Sequence, residues 1–578
     1  MRRFGLVLAL DETGIPKGMD SQSVFPFLLP DLSTSGTAMM TNAVVDVSRT
    51  QLSPSAPSSA AFSTAARNHA HHQPPSLLLP LAHASILFTH GTIIAFNRTA
   101  NALSVLRNAS LLVTDDIISH IFPGPVPPDL LSPDTEVVDI TDCILTPGFI
   151  DTHRHSWQTA YKTLGSNTTL VEYFFRYDEF ASAGLLTPED VYLGQLAGIY
   201  EGLNAGVTTV LDHAHHTWSD ETSKAGLRAS LNSGARIFWC YAFHPLAEYP
   251  FEAQVSSFRD IATDPSMAGS STVSLGIAYD TFHPGGNATE INTLLSLIAE
   301  FTDTISALTT HVLSGPWGAE NTPLALLNLG ILPLDLPIVF SHASLISAYD
   351  FQLLRRYNQH ISITPESEAH YGQTNPVSHH IQDQGSLGID THFTFSGDIL
   401  TQARIWLHEV RRRAYDAVLE RYELPRNNPM SVSQAFLLAT RQGGLALHRK
   451  DLGVIEVGAK ADLVVWDGTS PSMLGWNDLV AAVMLHASVG DVKHVVVDGK
   501  WKKRDGKMAD ERYDELKKQF LASAKRLQKA LIESVSDVPK AGDPWLLSGY
   551  PIGTAETADT LRGNGTGYGE LFLDAGGS

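Results

Sequence analysis

The 578-residue chain has only two cysteines, Cys143 and Cys240. Two thiols exclude a disulfide framework and any cysteine-rich zinc module, and they suit a reducing, cytoplasmic compartment. Charge is sparse, at 17% of residues, and unbalanced: 61 acidic against 40 basic residues give a formal net charge of −21. Such an acidic chain is repelled by phosphate backbones, which argues against nucleic acid as a partner. Long apolar runs are also missing, so no segment reads as spanning a membrane. The stretch Phe4–Leu10 after two arginines imitates a signal peptide, but Asp11 and Glu12 cut it short. The Asn-x-Ser/Thr triplets at Asn97, Asn108 and Asn287 are of a kind that arises by chance.

What is present begins with a tail. Residues 1–84 are rich in Ser, Ala, Pro and His without a sustained period, and they read as a disordered extension in which the histidines of His69–His72 are incidental. From 85 to 146 short β-rich runs such as Ile86-Leu87-Phe88 and Ser110-Leu111-Leu112-Val113 are separated by turn residues. A matching β-rich piece at 451–508 contains Leu463-Val464-Val465-Trp466 and Val495-Val496-Val497. Each end alone has too few strands to stand by itself, so the two are expected to form one small β-sandwich domain. Between them, residues 147–450 alternate strand and helix. Eight β-rich runs occur, near Phe149, Thr208, Ile237, Val273, Leu308, Ile338, Ile361 and Phe393. Eight β/α units predict an α/β chain with a closed (β/α)8 barrel of the TIM type, whose chemistry sits at the C-terminal ends of its strands. Residues 509–578 read as a charged helix, Asp510 to Ser534, followed by a loose tail.

The chemistry-bearing motif is Pro147-Gly148-Phe149-Ile150-Asp151-Thr152-His153-Arg154-His155. Residues two apart on a strand project to the same side, so His153 and His155 can share one metal ion. Further candidates follow other strand-like runs: His311 after Thr309-Thr310, His342 after Phe340-Ser341, and Asp398 after Ser396-Gly397. Asp212, His213, His215 and His216 after the second run either line the pocket or, the favoured reading, satisfy one another in a polar loop. Trp157 and Tyr161 are open between packing and stacking on an aromatic substrate.

Over residues 85–508 the sequence resembles the amidohydrolase superfamily, in the branch of chlorotriazine hydrolases, guanine deaminase and adenosine-type deaminases. The resemblance rests on the lead-in and His-x-His pair above, the single histidines of strands five and six, Asp398, and the run Gly453 to Leu463. It implies a metal held by His153, His155, His311 and Asp398, with His342 orienting substrate or water. The fourth run, Val273 to Asp280, contains no lysine, so one divalent ion rather than two is expected, with Zn first and Fe or Mn as alternatives.

Two departures bear on the reaction. Deaminases of this branch carry Glu three residues after the strand-five histidine, and here that position is Ser314. The seventh run leads into Thr364-Pro365-Glu366-Ser367-Glu368, which makes Glu366 the expected replacement acid, with Glu368 behind it. Asp398 and His342 complete the expected catalytic set. The expected function is metal-assisted hydrolysis of a C–N bond in a small molecule, such as an amide, lactam or cyclic amidine. Deamination of a heterocycle is the alternative, and a non-catalytic barrel scaffold a second one. A small-molecule substrate is the expected partner, and a homo-oligomer is left open.

Overall fold

The computed structural model describes residues 85–124, 126–283, 285–534 and 537–556. The extension 1–84, with its His69–His72 cluster, lies outside the described residues. Five strands come first: β1 (Ser85–Asn97), β2 (Ala102–Thr114), β3 (Ile117–Phe122), β4 (Glu136–Asp139) and β5 (Ile144–Pro147). Eight follow in the barrel: β6 (Phe149–Arg154), β7 (Val207–Ala214), β8 (Arg236–Phe243), β9 (Val273–Tyr279), β10 (Ile305–Val312), β11 (Ile338–His342), β12 (His360–Ile363) and β13 (Gly385–Leu387). The last four are β14 (Leu463–Trp466), β15 (Val492–Val497), β16 (Lys500–Arg504) and β17 (Lys507–Met508).

β6 to β13 pair in parallel in sequence order. The ring closes where the amides of Ile389 and Asp390 both donate to the carbonyl of His153, at 3.0 and 2.8 Å. Every residue of β7 and β8 is buried, as expected for parallel strands with helices outside and a packed interior. Ile150, Leu211, Phe238, Cys240, Ala278, Ala307 and Val339 form a separate core cluster, drawn from six successive strands. They fill the barrel, so it is a solid scaffold and not a pore. The helix Pro188–Asn204 begins at a reciprocal capping box formed by Thr187 and Asp190.

One predicted strand is misplaced. The aromatic alternation Phe393-Thr394-Phe395 is a turn, and the eighth strand is the three-residue β13. A strand this short leaves little periodicity to read. Its packing is nonetheless demanding. A Cβ on Gly388 would lie 2.5 Å from Ser362 Oγ and 2.8 Å from the His153 Cβ, so only glycine lets the chain pass between β12 and β6.

The remaining strands make one continuous nine-stranded sheet, in the order β17-β16-β15-β14-β5-β1-β2-β3 with β4 also on β1. Ile93 pairs with Leu145, and Val464 with Thr146, so segments from both ends of the chain share the sheet. Four strand spacings separate β1 from β16, about 19 Å if flat, yet the rings of Phe88 and Trp501 are 5.8 Å apart. The sheet therefore curls over on itself around one core. Arg236, at the start of β8, locks this domain to the barrel. It donates to Asp462 at 2.7 and 3.1 Å and to Asp498 at 3.0 Å. Both cysteines are buried and free, and no described helix is long and apolar enough to cross a membrane.

Candidate active site

Four histidines meet at the C-terminal ends of the strands. His153 is near the end of β6 and His155 just past it, His311 is near the end of β10, and His342 ends β11. In each the Nδ1 is engaged from behind. His155 Nδ1 donates to the His213 carbonyl at 3.0 Å, and His153 Nδ1 bonds Ser341 Oγ at 2.8 Å. His311 Nδ1 donates to Asp280 at 2.9 Å, and His342 Nδ1 bonds Thr364 Oγ1 at 2.8 Å. Such partners fix the ring orientation, and where the partner can only accept, as for His155 and His311, they leave Nε2 with a lone pair to offer. The Nε2 atoms of His155 and His311 then lie 3.3 Å apart.

The carboxylate that joins them is Asp390. Its Oδ1 is 3.2 Å from His155 Nε2 and 3.4 Å from His153 Nε2. Asp398, expected in this place, is elsewhere. It caps the helix Ile399–Leu419, accepting from the Thr401 amide at 2.8 Å and from its hydroxyl at 2.9 Å. The correction follows from the misplaced strand: with β13 at Gly385–Leu387, the residue delivered to the mouth is Asp390. The readable signal was the apolar run Leu387-Gly388-Ile389 just before it. Asp390 has φ 70° and His342 φ 66°. For non-glycine residues that conformation costs of order 1–3 kcal/mol and gathers at functional sites.

This cluster fits a divalent metal. Tetrahedral coordination at Zn–N distances of 2.0–2.1 Å puts ligand atoms about 3.3 Å apart, which is the spacing of the pairs His155–His311, His155–Asp390 and His153–Asp390. His153 Nε2 is fully buried with no hydrogen-bond partner, a costly state unless something else satisfies it. Protonation states agree. Burial, above all, pushes His153 well below the usual imidazole range, so it is neutral. Burial works against ionisation of Asp390, but His153, His155 and His342 hold it well below the carboxylate range. Asp280 is likewise held down, against its burial, by His311 and His213.

Above the cluster lies a cavity of about 270 Å³. Its walls are largely apolar and aromatic: Leu170, Tyr173, Phe174, Phe180, Phe243, Leu313 and Tyr371, with Leu547 from the C-terminal segment. That segment is fastened by Trp545, whose indole donates to the Trp317 carbonyl at 2.8 Å. Polar lining comes from Glu179, His213, His215, His244, Asp280, Gln373 and Thr391 beside the cluster itself. His213 and His215 therefore face the cavity and do not merely satisfy each other. Trp157 and Tyr161 are fully buried packing residues, with Trp157 donating to His215 Nδ1 at 3.0 Å.

Glu366, the expected acid, is not part of the cavity wall. It turns against the helix Ile399–Leu419, accepting from Gln402 at 2.9 Å and from Ser396. Glu368 is buried behind His342, accepting from the Thr364 amide at 3.1 Å and from Asn375. Thr364-Pro365 starts a helix, so the two glutamates follow a helical path away from the mouth.

The amidohydrolase family model matches residues 144–502. The chain is 25% identical over 409 residues to the 5-methylthioadenosine/S-adenosylhomocysteine deaminase of Moorella thermoacetica, covering 68% of this chain and 90% of the relative. It is 25% identical over 382 residues to the 5'-deoxyadenosine deaminase of Methanosarcina mazei, covering 63% and 82%. Among solved structures, the fold is similar to a zinc-bound adenosine deaminase from Xanthomonas campestris, with TM-score 0.67 and 18% identity over 78% of this chain and 99% of the other. It is also similar to a zinc complex of atrazine chlorohydrolase from Arthrobacter aurescens, with TM-score 0.64 and 18% identity over 76% and 100%. The family model runs from β5 through the whole barrel and into β16, and the chain belongs to the amidohydrolase family, hydrolases of carbon–nitrogen bonds other than peptide bonds.

Proposed function

We propose that the protein is a metal-dependent aminohydrolase that replaces an exocyclic amino group of an aromatic heterocycle with oxygen, releasing ammonia. The observation that carries this is that Asp390 lies against the Nε2 atoms of His153 and His155, with His311 Nε2 against that of His155, under a cavity walled by aromatic rings. A flat, largely apolar ring suits those walls, and the deaminase relatives make purine nucleosides the first class to test. His153, His155, His311 and Asp390 would hold one divalent ion, zinc first. When bound, such an ion acidifies water and polarises the electrophile. Asp390, held ionised among the histidines, takes the proton from the attacking water. His342 is placed to donate a hydrogen bond to the substrate atom that gains charge. A cytoplasmic setting, read from the two free thiols, would keep this chemistry in a reducing compartment. Simple amide or lactam hydrolysis is the second reading, favoured by Ser314 standing where a glutamate is found in related deaminases.

The test is to purify the protein, measure bound metal, and assay 5'-deoxyadenosine, adenosine and a set of amides for ammonia and for carboxylate separately. About one ion per chain and ammonia from an aminopurine are expected. Carboxylate formation without ammonia would replace the deaminase reading by the amide one, and turnover untouched by complete metal removal would overturn both.

A further inference from the structure

Breaking a C–N bond hydrolytically requires a proton on nitrogen, because an amide anion is a very poor leaving group. Ser314 is buried with an unpartnered hydroxyl, and a hydroxyl cannot serve as a comparable acid near neutral pH. Glu366 and Glu368 are turned away from the cavity. Three carboxyl side chains line it: Glu179, Asp280 and Asp390. Two have duties. Asp390 sits among the histidines, and Asp280 binds both the ring and the amide of His311, at 2.9 and 2.7 Å.

We infer that Glu179 is the catalytic residue that protonates the departing nitrogen. It is the first residue of the short helix Glu179–Ser182, in the excursion that follows β6. Its neighbour Asp178 caps that helix, accepting from the Ala181 amide at 2.8 Å, so the turn is fixed and Glu179 is left facing the cavity. Among the described residues no other side chain hydrogen-bonds the Glu179 carboxyl, while Asp280 and His311 are close enough to act on its charge. Burial, and after it the neighbouring carboxyl of Asp178, push its proton affinity up. An acid that keeps its proton near neutrality is what this step needs. The acid here thus comes from the first barrel loop, where no motif spacing around His311 would reveal it.

A water oxygen bonds to the ring carbon while one water proton passes to Asp390. The C–N electron pair leaves with nitrogen, which takes the Glu179 proton and departs as ammonia. The second water proton stays with the product oxygen, and the Asp390 proton returns through solvent to Glu179. The net reaction is amine plus water to hydroxy (or keto) product plus ammonia.

The inference rests on the hydrolytic reading above, and the test separates the two. Glu179→Gln is compared with the unchanged enzyme on 5'-deoxyadenosine and on its 6-chloro counterpart, whose chloride leaves without a proton. Turnover of the amine should fall about 10²–10⁴-fold, with metal content and the rate on the chloro compound unchanged. Equal losses on both substrates, or none on the amine, would overturn the role. Infrared spectra of the metal-free protein give a second readout: subtracting Glu179→Gln from the unchanged enzyme at neutral pH should leave one protonated-carboxyl band beyond those of Asp151 and Asp178, and no such band counts against the role. If the unchanged enzyme deaminates no heterocycle, the proposed function fails on its own. The same contrast is then required between an alkyl amide and its p-nitrophenyl ester, where an equal loss on both again overturns the role of Glu179.

Discussion

Arg236 at the start of β8 and His153 near the end of β6 are both buried polar groups of one barrel, and their surroundings treat them in opposite ways. Around Arg236 everything is paired. Asp462 and Asp498 accept from it, the Ser271 carbonyl takes a further donor at 3.1 Å, and Asp462 also accepts the Asp498 amide at 2.8 Å. Around His153 the bonding is left open: Nδ1 is held, and Nε2 is buried without a hydrogen bond, with only the Asp390 carboxylate near it at 3.4 Å. A closed network of this kind holds elements in register, whereas buried polar atoms left unsatisfied call for a ligand. The barrel thus divides labour along its strands, with stability at their N-terminal ends and chemistry at their C-terminal ends.

The largest test of that division is Asp390→Asn. It should cut turnover by about 10²–10⁴-fold and lower metal content, with little change in the unfolding midpoint. A fully active, metal-loaded variant would return the role to Asp398. At the other end, Asp462→Ala should destabilise the fold by about 3 kcal/mol, because it removes one of the two carboxylates on buried Arg236 and leaves its Nε without an acceptor. Denaturant titration reads this directly, and metal stoichiometry of the folded fraction should stay the same. An equal loss of metal would mean that the two ends are not separable. Asp280→Asn lies between the extremes. It removes the partner that orients His311 and should weaken metal affinity about 10–100-fold in a chelator competition.

Smaller effects sharpen the picture of the mouth. Leu547→Ala trims the wall supplied by the C-terminal segment. It should raise KM by about fourfold for each methylene that packs on substrate, with kcat nearly unchanged. A fall in kcat alone would give the segment a different role. Smallest of all, Asp398→Ala should cost about 1 kcal/mol through loss of a helix cap, visible as a lower melting temperature, with full metal content.

The sequence alone settled a good deal. The spacing of His153 and His155, the seven well-formed barrel strands and the single histidines His311 and His342 were legible because strand periodicity and strand-end position are local properties. The split sheet was legible because neither end had strands enough to stand alone. Asp390 was not. Its strand has three residues, and what places Asp390 is ring closure, two hydrogen bonds to the His153 carbonyl from 235 residues or more downstream. Glu366 was misread for a related reason: the helix that starts at Pro365 turns its side chain towards Gln402. Glu179 and His213 carry no motif, and they reach the cavity because a capped loop and a neighbouring strand bring them there. Local pattern chose the scaffold and most of the histidines. Which carboxylates joined them was decided only when the barrel closed, since closure sets residues distant in sequence within a hydrogen bond of one another.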